Sequence, residues 1–311
     1  MSRGEQSELP VILLMGPTAS GKTQLSLDLC ERLPAEIISV DSAQVYRGMD
    51  IGTAKPDRET RARVPHHLID ILDPAEPYSA ARFACDALRL IAGIRGRGHV
   101  PLLVGGTMLY FRALSAGLHA LPSASPEVRA RLEREAATLG SAALHARLRQ
   151  LDAASAARLH PNDLQRVQRA LEIIECTGMT PTEFYARPLD GGLDQPVVKI
   201  GMQPPQRAEL HARIERRLLQ MMQDGFFEEV EALHRRGDLH PALPSIRAVG
   251  YRQLWASLDG ECSREEAVQR CLAATRQFAK RQLTWLRREP DVHWLDSTAA
   301  NLTGQAMNLL K

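Results

Sequence analysis

The cysteines of this chain are few, and none of them belongs to a recognisable pattern. Five are present among 311 residues, without a C-x-x-C pair, at Cys30, Cys85, Cys176, Cys262 and Cys271. Their spacing fits no zinc site, and their odd number fits no disulfide framework. We therefore expect core thiols in a protein of a reducing compartment.

The sequence also has little of three other features, namely long apolar runs, the pattern of a signal peptide and a strong net charge. No apolar run approaches the about 18 residues of a membrane span. Glu5 and Glu8 precede the first short run, which is not typical of a signal peptide. A cytoplasmic protein without a membrane partner is expected. The formal net charge of +2 neither predicts nor excludes binding to nucleic acid.

The sequence does contain a phosphate-binding motif. The pattern G-x-x-x-x-G-K-[ST] is formed by Gly16, Pro17, Thr18, Ala19, Ser20, Gly21, Lys22 and Thr23. The apolar run at 11–15 predicts a buried strand before it, and the leucine-rich segment after it predicts a helix. Strand, glycine-rich turn and helix N-terminus direct N–H groups and the helix dipole at an anion. Lys22 adds a charge for the terminal phosphate, and the Thr23 hydroxyl suits Mg²⁺, but the motif does not specify which phosphate is bound.

Alternating strands and helices predict the fold class. Further strands are predicted from short apolar runs at 36–41, 68–72, 100–104, 197–202 and 292–295. The pattern is typical of an α/β fold, a P-loop-type parallel sheet core covered by helices. A proline-containing linker at 121–126 introduces a wholly helical stretch. We expect a core of 1–119 and 196–311, interrupted by an all-helical insertion domain at 120–195.

Two residues at predicted strand ends are candidates for chemistry, because ligands of such sheets bind beyond the carboxyl ends of the strands. Asp41 can ligate Mg²⁺ or accept a proton, and a turn-forming Asp that bonds its own backbone is an equal alternative. The strand at 100–104 ends in Gly-Gly-Thr, where ATPases and GTPases usually carry an acid for Mg²⁺, so hydrolysis of a nucleoside triphosphate is disfavoured. Thr107 offers its hydroxyl to a ligand or to the N-cap of the next helix.

Basic residues on predicted helices provide further candidates. Arg213 and Arg217 lie four residues apart and share a helix face, which can clamp a phosphate or pair in solvent with Glu209 and Glu215.

Two other basic stretches are compatible with RNA. The sequence QRVQR at 165–169 is rich in bidentate donors. The second stretch is a stripe on one helix face, formed by Arg276, Lys280 and Arg287, with Arg281 beside it. Phe278 and Trp285 are interleaved with the stripe, where a core position is the commoner role of an aromatic side chain.

Taken in order, several segments resemble the tRNA dimethylallyltransferases, the isopentenyl-tRNA transferases of the bacterial type. They are the P-loop, the block DSAQVYRGMDIGTAKP from Asp41, PHHLID from Pro65, GGTMLY from Gly105, ND from Asn162, RVQRALE from Arg166, VGY from Val249 and RQFAKRQLTW from Arg276. The sixteen-residue block is specific to the family, whereas the P-loop alone is not. The sequence contains no cysteine pairs of the kind that build the zinc finger of eukaryotic members.

The resemblance implies a reaction at one adenine of tRNA. The dimethylallyl group of dimethylallyl diphosphate moves to N6 of the adenine 3′-adjacent to the anticodon, and diphosphate leaves. Asp41 would accept the amine proton, and Thr107 would hold the diphosphate or orient the amine. Lys22, Arg217 and Mg²⁺ on Thr23 would neutralise the leaving group. The adenine must be flipped out of the stacked loop.

The resemblance also implies contacts between a monomeric enzyme and the anticodon stem-loop, on which the helical insertion would close. The residues expected to contact tRNA are Asp41, Ser42, Ala43, Gln44, Thr107, Gln165, Arg166, Val167, Gln168, Arg169, Arg247, Gly250, Tyr251, Arg252, Arg276, Lys280, Arg281 and Arg287.

Three alternatives remain compatible with the sequence. An adenylate isopentenyltransferase uses the same donor with a free nucleotide, but the insertion and the basic stripe argue against it. A P-loop small-molecule kinase shares the motif and a base at Asp41. A P-loop RNA-binding protein without catalysis is the third.

Overall fold

The computed structural model describes residues 10–119 and 125–310. The expectations for the N-terminal segment and for 121–124 of the linker lie outside these residues. Within the described residues the chain forms two compact units. One comprises the chain up to Ser115 and again from Leu193, and the other is Ala116–Gly192.

The first unit is built on one parallel sheet. Its strands are β1 (Val11–Met15), β2 (Ala35–Val40), β3 (His66–His67), β4 (Val100–Gly105), β5 (Val197–Gln203) and β6 (Val292–Asp296). In the sheet they lie in the order β3-β2-β4-β1-β5-β6, and every neighbouring pair is parallel. This arrangement, with helices around the sheet, confirms the predicted P-loop-type α/β fold.

Helices make up most of the remaining described chain. The first four are α1 (Lys22–Cys30), α2 (Arg58–Arg63), α3 (Ala80–Gly96) and α4 (Met108–Ala116). The second unit contains α5 (Pro126–Leu139), α6 (Ser141–Leu151), α7 (Ala153–Arg158), α8 (Leu164–Thr177) and α9 (Pro181–Tyr185). The chain continues with α10 (Arg207–Gln223), α11 (Phe226–His234), α12 (Tyr251–Leu258), α13 (Arg264–Leu286) and α14 (Leu302–Asn308).

β1 is apolar at every position because both of its faces are covered. All five of its residues are buried. Leu14 packs in a cluster with Leu25 of α1, whereas Leu13 belongs to a second cluster with Phe83 of α3 and Phe111 of α4. A continuous apolar run is the sequence signature of a strand in such a sheet, and β1 carries the P-loop at its carboxyl end.

The predicted strand at 68–72 is wrong. Leu68 and Asp70 have φ angles of 61° and 56°, in the left-handed region that an extended strand excludes. The Asp70 carboxylate is instead bound by Lys55 at 2.5 Å and by Arg61 at 2.6 Å. The strand at this edge is β3, two residues long, and Leu72 makes only an isolated bridge to Tyr46.

The second unit has its own apolar core, which includes Leu132, Leu148 and Val167. From residue 125 the described chain continues with a helix start. Pro126 opens α5, and the hydroxyl of Ser125 accepts a hydrogen bond from the Val128 N–H at 3.3 Å. The described end of the predicted linker is therefore a helix cap.

The cysteines are free thiols in different environments. Cys271 is buried, Cys30 and Cys262 are half-buried, and Cys85 and Cys176 are exposed. The expectation of core thiols is therefore wrong for Cys85 and Cys176. In the described part of the chain, no helix has the length and apolar character needed to cross a membrane.

Candidate active site

The P-loop follows a backbone path that requires glycine at two positions. A Cβ on Gly16 would lie 2.7 Å from the carbonyl oxygen of Met202, so a larger residue does not fit. Gly21 has a φ of 91° and is the residue from which α1 begins. The loop therefore leads from β1 into the N-terminus of α1, where backbone N–H groups favour an anion.

Lys22 folds back over this loop. Its Nζ donates hydrogen bonds to the carbonyl oxygens of Gly16 at 2.9 Å and Pro17 at 2.7 Å. The pKa of Lys22 is lowered to about 7, first by burial and then by the nearby Arg217, while Asp41 opposes both. A bound anion would offset the desolvation of this amine, which suits a phosphate ligand.

The two arginines on α10 have different partners. Arg217 Nη1 lies 3.4 Å from Thr18 Oγ1 in the P-loop, and burial lowers the pKa of Arg217 while Asp41 raises it. Arg213 pairs with Glu209 at 2.6 Å on its own helix. The structure thus brings Arg217 to the phosphate motif. Arg213 instead forms the ion pair on its own helix face that was the alternative to a phosphate clamp. Both arginines line the same cavity as the P-loop.

Asp41, which directly follows β2, has the turn geometry that was one alternative for it. Its Oδ1 accepts hydrogen bonds from the N–H groups of Ala43 at 2.8 Å and Gln44 at 3.3 Å. Among the described residues, no hydrogen bond reaches Oδ2. One oxygen therefore fixes the turn, and the other is available to a proton or a metal ion.

Thr107 connects the turn after β4 with the turn after β2. Its Oγ1 accepts a hydrogen bond from the Ser42 N–H at 3.2 Å, while its carbonyl oxygen accepts from the N–H of Tyr110 at 2.9 Å. The hydroxyl thus faces Ser42, the residue next to Asp41. Gly105 allows this close approach, because a Cβ there would lie 2.0 Å from the carbonyl oxygen of Val40.

These residues line one cavity of about 740 Å³ in the first unit. Its polar lining includes the P-loop from Thr18, together with Asp41, Thr107 and Arg217. Its apolar lining includes the side chains of Ile214, Leu218, Met221, Phe226 and Phe278. The volume suits a small ligand, and the lining suits one with an anionic head and an apolar tail.

The residues present fit a metal ion that is held mainly by a bound phosphate. Thr23 is exposed at the start of α1 and lines the cavity. In residues 10–119 and 125–310, no group of three or more His, Cys, Asp or Glu could hold a metal ion. Mg²⁺ does not require such a group, because it commonly takes one or two protein ligands with phosphate oxygens and water.

The stretch expected to contact RNA on α8 divides between solvent and core. Gln165 and Arg166 are exposed, and Arg166 forms an ion pair with Asp163 at the helix N-cap. Arg169 pairs with the buried Glu172 at 3.0 Å. Val167 is fully buried in the core of the second unit. The expectation of a tRNA contact by the Val167 side chain is therefore corrected, because this side chain packs inside the helical unit.

Gln44 and Tyr251 also have internal partners. The Gln44 amide oxygen accepts from Ser39 Oγ at 2.9 Å, and its nitrogen donates to the Thr53 carbonyl at 3.2 Å. The buried Tyr251 hydroxyl donates to Glu229 at 2.5 Å. Both side chains line the cavity, so their internal bonds shape its wall, and their contact with tRNA stays a prediction.

Glu229 was not found from the sequence. Its carboxylate accepts hydrogen bonds from the N–H groups of Asp50 at 2.8 Å, Ile51 at 2.7 Å and Gly52 at 3.1 Å. It therefore holds the loop at 50–52 against α11.

Gly250 lies in the cavity wall and has a φ of 94°. Arg247 and Arg252, on either side of it in the sequence, are exposed.

The basic stripe on α13 is exposed over most of its length. Lys280, Arg281 and Arg287 are exposed, whereas Arg276 pairs with Glu215 of α10 at 2.9 Å. Trp285 is 42% exposed, so the expected core position is wrong for this ring. Lys280, Arg281 and Trp285 line a shallow groove of about 300 Å³.

Gln282, on the opposite side of α13 from the stripe, is a further residue that the sequence did not single out. It is buried, and its side chain bonds both the P-loop and the turn after β4. Its one signal in the sequence is its place within the segment RQFAKRQLTW, between exposed cations.

A parallel sheet with a P-loop on a central strand, beside a carboxylate and an apolar wall, defines an α/β protein built to bind a phosphorylated, partly apolar molecule. Two family models match the chain, "IPP transferase" over residues 44–289 and "Isopentenyl transferase" over residues 9–64. The chain belongs to the tRNA dimethylallyltransferase family, and it is a prenyltransferase. The family resemblance and the expectation of an enzyme are thereby confirmed.

Individual relatives agree with the family models. The chain is 52% identical over 316 residues to tRNA dimethylallyltransferase 2 of Hahella chejuensis (strain KCTC 2396). The aligned region covers 97% of this chain and 95% of the relative. The chain is 58% identical over 282 residues to tRNA dimethylallyltransferase of Halorhodospira halophila (strain DSM 244 / SL1), covering 91% of each. A crystal structure of a eukaryotic dimethylallyltransferase acting on tRNA is similar with a TM-score of 0.80 and 27% identity, over 96% of this chain and 77% of that one.

Proposed function

We propose that this protein transfers the dimethylallyl group of dimethylallyl diphosphate to N6 of the adenine 3′-adjacent to the anticodon of tRNA. The observation that carries the proposal is the lining of one cavity by the P-loop, Asp41 and a set of apolar side chains. The P-loop suits the diphosphate, and the apolar wall suits the five-carbon chain. No acid directly follows β4, where an NTP-hydrolysing P-loop enzyme usually carries one.

The reaction is a displacement of diphosphate by the adenine amine. The adenine amine nitrogen forms a bond to C1 of the dimethylallyl group as the bond from C1 to the diphosphate oxygen breaks. The nitrogen loses one proton, and the carboxylate of Asp41 accepts it through Oδ2. The hydrogen bonds to Oδ1 hold this carboxylate in place. Thr107 is the neighbouring group that orients the amine or holds the diphosphate.

Positive charge on the P-loop side stabilises the leaving diphosphate. Lys22 exchanges its bonds to the loop carbonyls for bonds to the diphosphate, and Arg217 adds a second cation beside Thr18. Mg²⁺, when bound, neutralises further charge on the diphosphate, and Thr23 Oγ1 with the diphosphate oxygens would hold it. Such charge stabilisation favours the step in which charge develops on the leaving group.

The tRNA is proposed to bind as its anticodon stem-loop. Lys280 and Arg281 on α13, with Arg287 directly after it, provide exposed cations for its phosphates. Gln165 and Arg166 provide polar groups on the helical unit. The target adenine leaves the stack to enter the cavity, at a cost of a few kcal/mol. We further propose that the enzyme acts as a monomer in the cytoplasm, where free thiols persist, and without a membrane partner.

Thermal shift with competing ligands tests the donor assignment. We expect dimethylallyl diphosphate with Mg²⁺ to raise the melting temperature, and Lys22→Ala to abolish the shift. A larger shift with ATP, accompanied by phosphate transfer to a small acceptor, would identify a kinase instead. Transfer of the dimethylallyl group to free AMP but not to tRNA would identify an adenylate isopentenyltransferase.

A further inference from the structure

Gln282 links the P-loop to the turn after β4. This side chain is 6% exposed, and its amide makes two hydrogen bonds. Oε1 accepts from the backbone N–H of Thr18 at 3.0 Å, and Nε2 donates to the carbonyl oxygen of Gly106 at 2.9 Å. One glutamine therefore satisfies a donor and an acceptor on two separate loops of the cavity wall.

The turn that Gln282 bonds at Gly106 is connected to Asp41, the proposed base. Thr107 follows Gly106, and its Oγ1 accepts a hydrogen bond from the Ser42 N–H at 3.2 Å. Ser42 in turn follows Asp41. A short path of hydrogen bonds and backbone thus runs from the P-loop through Gln282 to the Asp41 side of the cavity.

The surrounding packing makes this path stiff. Ala19 of the P-loop packs against an apolar cluster that contains Ile214 of α10 and Ala279 of α13. A Cβ on Gly106 would lie 2.2 Å from Gln282 Nε2, so the amide stands against the backbone of this turn. A displacement of the Gln282 amide would break its hydrogen bond to at least one of the two loops.

We propose that Gln282 is a positioning residue that sets the separation between the P-loop and the Asp41–Thr107 side of the cavity. The inference rests on the proposed transfer reaction and adds to it a residue whose amide is bonded at both ends to the cavity wall. A displacement reaction requires the nucleophile, the carbon and the leaving oxygen to be held in line. A misplacement of about 1 Å can lower the rate about 10²-fold. Loosening the two walls should therefore reduce the rate of transfer while each substrate still binds its own wall.

Two variants of Gln282 and one control test this inference. Gln282→Met keeps a similar length and removes both hydrogen bonds. Gln282→Glu keeps an acceptor for Thr18 but presents an oxygen to the Gly106 carbonyl. Glu36→Gln is the matched control, because Glu36 is also buried and hydrogen-bonded but lies at the start of β2, and Asp41 follows the end of that strand. The control is expected to lose stability and to keep its rate.

The expected result is a loss of rate with binding retained. Both Gln282 variants should show single-turnover rates about 10- to 100-fold lower. Their dissociation constants for dimethylallyl diphosphate and for tRNA should remain close to those of the unsubstituted protein. A double-mutant cycle of Gln282→Met with Thr107→Val should be less than additive, because both act through the same turn. A wild-type rate in either Gln282 variant overturns the inference, as does a rate loss that merely follows melting temperature across all variants.

Hydrogen exchange provides a readout that does not depend on transfer. In the ligand-free protein, Gln282→Met should speed exchange of the Thr18 amide relative to the unsubstituted chain, with Glu36→Gln as the unaffected control. Unchanged exchange at this amide contradicts the positioning role. If the unsubstituted protein transfers no dimethylallyl group at all, the proposed function fails, and the exchange result still decides the structural part of the inference.

Discussion

Lys22 Nζ lies 2.7 Å from the carbonyl oxygen of Pro17, so the lysine of the P-loop caps its own loop. The pKa of this amine is lowered to about 7, first by burial and then by Arg217. A diphosphate brings negative charge to the amine and raises its pKa. Above pH 7, donor binding should therefore take up a proton, and the dissociation constant should rise about tenfold per pH unit until the pKa of the complex is reached.

Calorimetry measures this proton directly. Titration of dimethylallyl diphosphate at pH 8 in buffers of different ionisation enthalpy should give an uptake approaching one proton per donor. Lys22→Arg keeps its charge at this pH and should show none. Equal uptake by the two proteins would assign the proton to another group.

Asp41→Asn distinguishes the structural role of this side chain in the turn from its proposed role as the base. The asparagine oxygen can still accept from the N–H groups of Ala43 and Gln44, so the turn and the melting temperature should be preserved. Loss of the base should lower the single-turnover rate by about 10²–10⁴, which corresponds to about 3–5 kcal/mol of barrier. Affinity for both substrates should change little. A weaker affinity for the donor with a shifted Mg²⁺ dependence would indicate a metal ligand instead, and a near-wild-type rate would exclude both roles.

Charge reversal on α13 tests the RNA surface. The double substitution Lys280→Glu with Arg287→Glu should weaken tRNA binding and reduce the slope of log K against log salt by about one for each lost phosphate contact. The rate at saturating tRNA should be retained. Arg270→Glu is the control, because Arg270 lies on the same helix and pairs with Glu266 at 2.6 Å. An equal loss of salt dependence in the control would contradict a specific surface.

Glu36 should make stability depend on acid pH. Its buried carboxylate lies 2.7 Å from Arg97 Nη2, 2.7 Å from His67 Nε2 and 2.9 Å from His99 Nδ1. The hydrogen bonds from Arg97 are the largest cause that lowers the pKa of Glu36 from 4.5 to about 2, with burial opposing them. Because the folded pKa is the lower one, the stabilisation is present above pH 4.5 and is lost as pH falls toward 2. Its size is about 3 kcal/mol.

Chemical denaturation at several pH values checks this expectation. The free energy of unfolding of the unsubstituted protein should exceed that of Glu36→Gln at pH 7, and the difference should shrink through pH 4.5 to 3. A difference that is constant over this range would show that the carboxylate is not the group responsible.

The parts of the fold that depend on local sequence could be predicted. Gly16 and Gly21 belong to a motif of eight consecutive residues, and β1 is a continuous apolar run because it is covered on both faces. The segment at 68–72 has the same apolar character, yet its path is decided by the ion pairs of Asp70 with Lys55 and Arg61. Ion pairs between side chains 15 and 9 positions apart leave no periodic signal.

The supporting residues of the candidate site could not be predicted for a similar reason. Gln282 bonds residues that are 264 and 176 positions away, and Glu229 holds N–H groups that are 177 to 179 positions away. On a helix, a buried glutamine between cations follows the same pattern as a surface residue. Val167 is the opposite case. Its neighbours in the sequence are polar and predicted a surface position, but the side chain of Val167 lies on the buried face of its helix.

The most direct test is mass spectrometry of tRNA nucleosides after incubation of unmodified tRNA with the protein, dimethylallyl diphosphate and Mg²⁺. The expected product is one dimethylallyl group on the adenosine 3′-adjacent to the anticodon. It should form with the unsubstituted protein and be absent with Lys22→Ala. An unmodified adenosine at that position, under conditions in which the protein is folded and binds both tRNA and the donor, would contradict the proposed reaction.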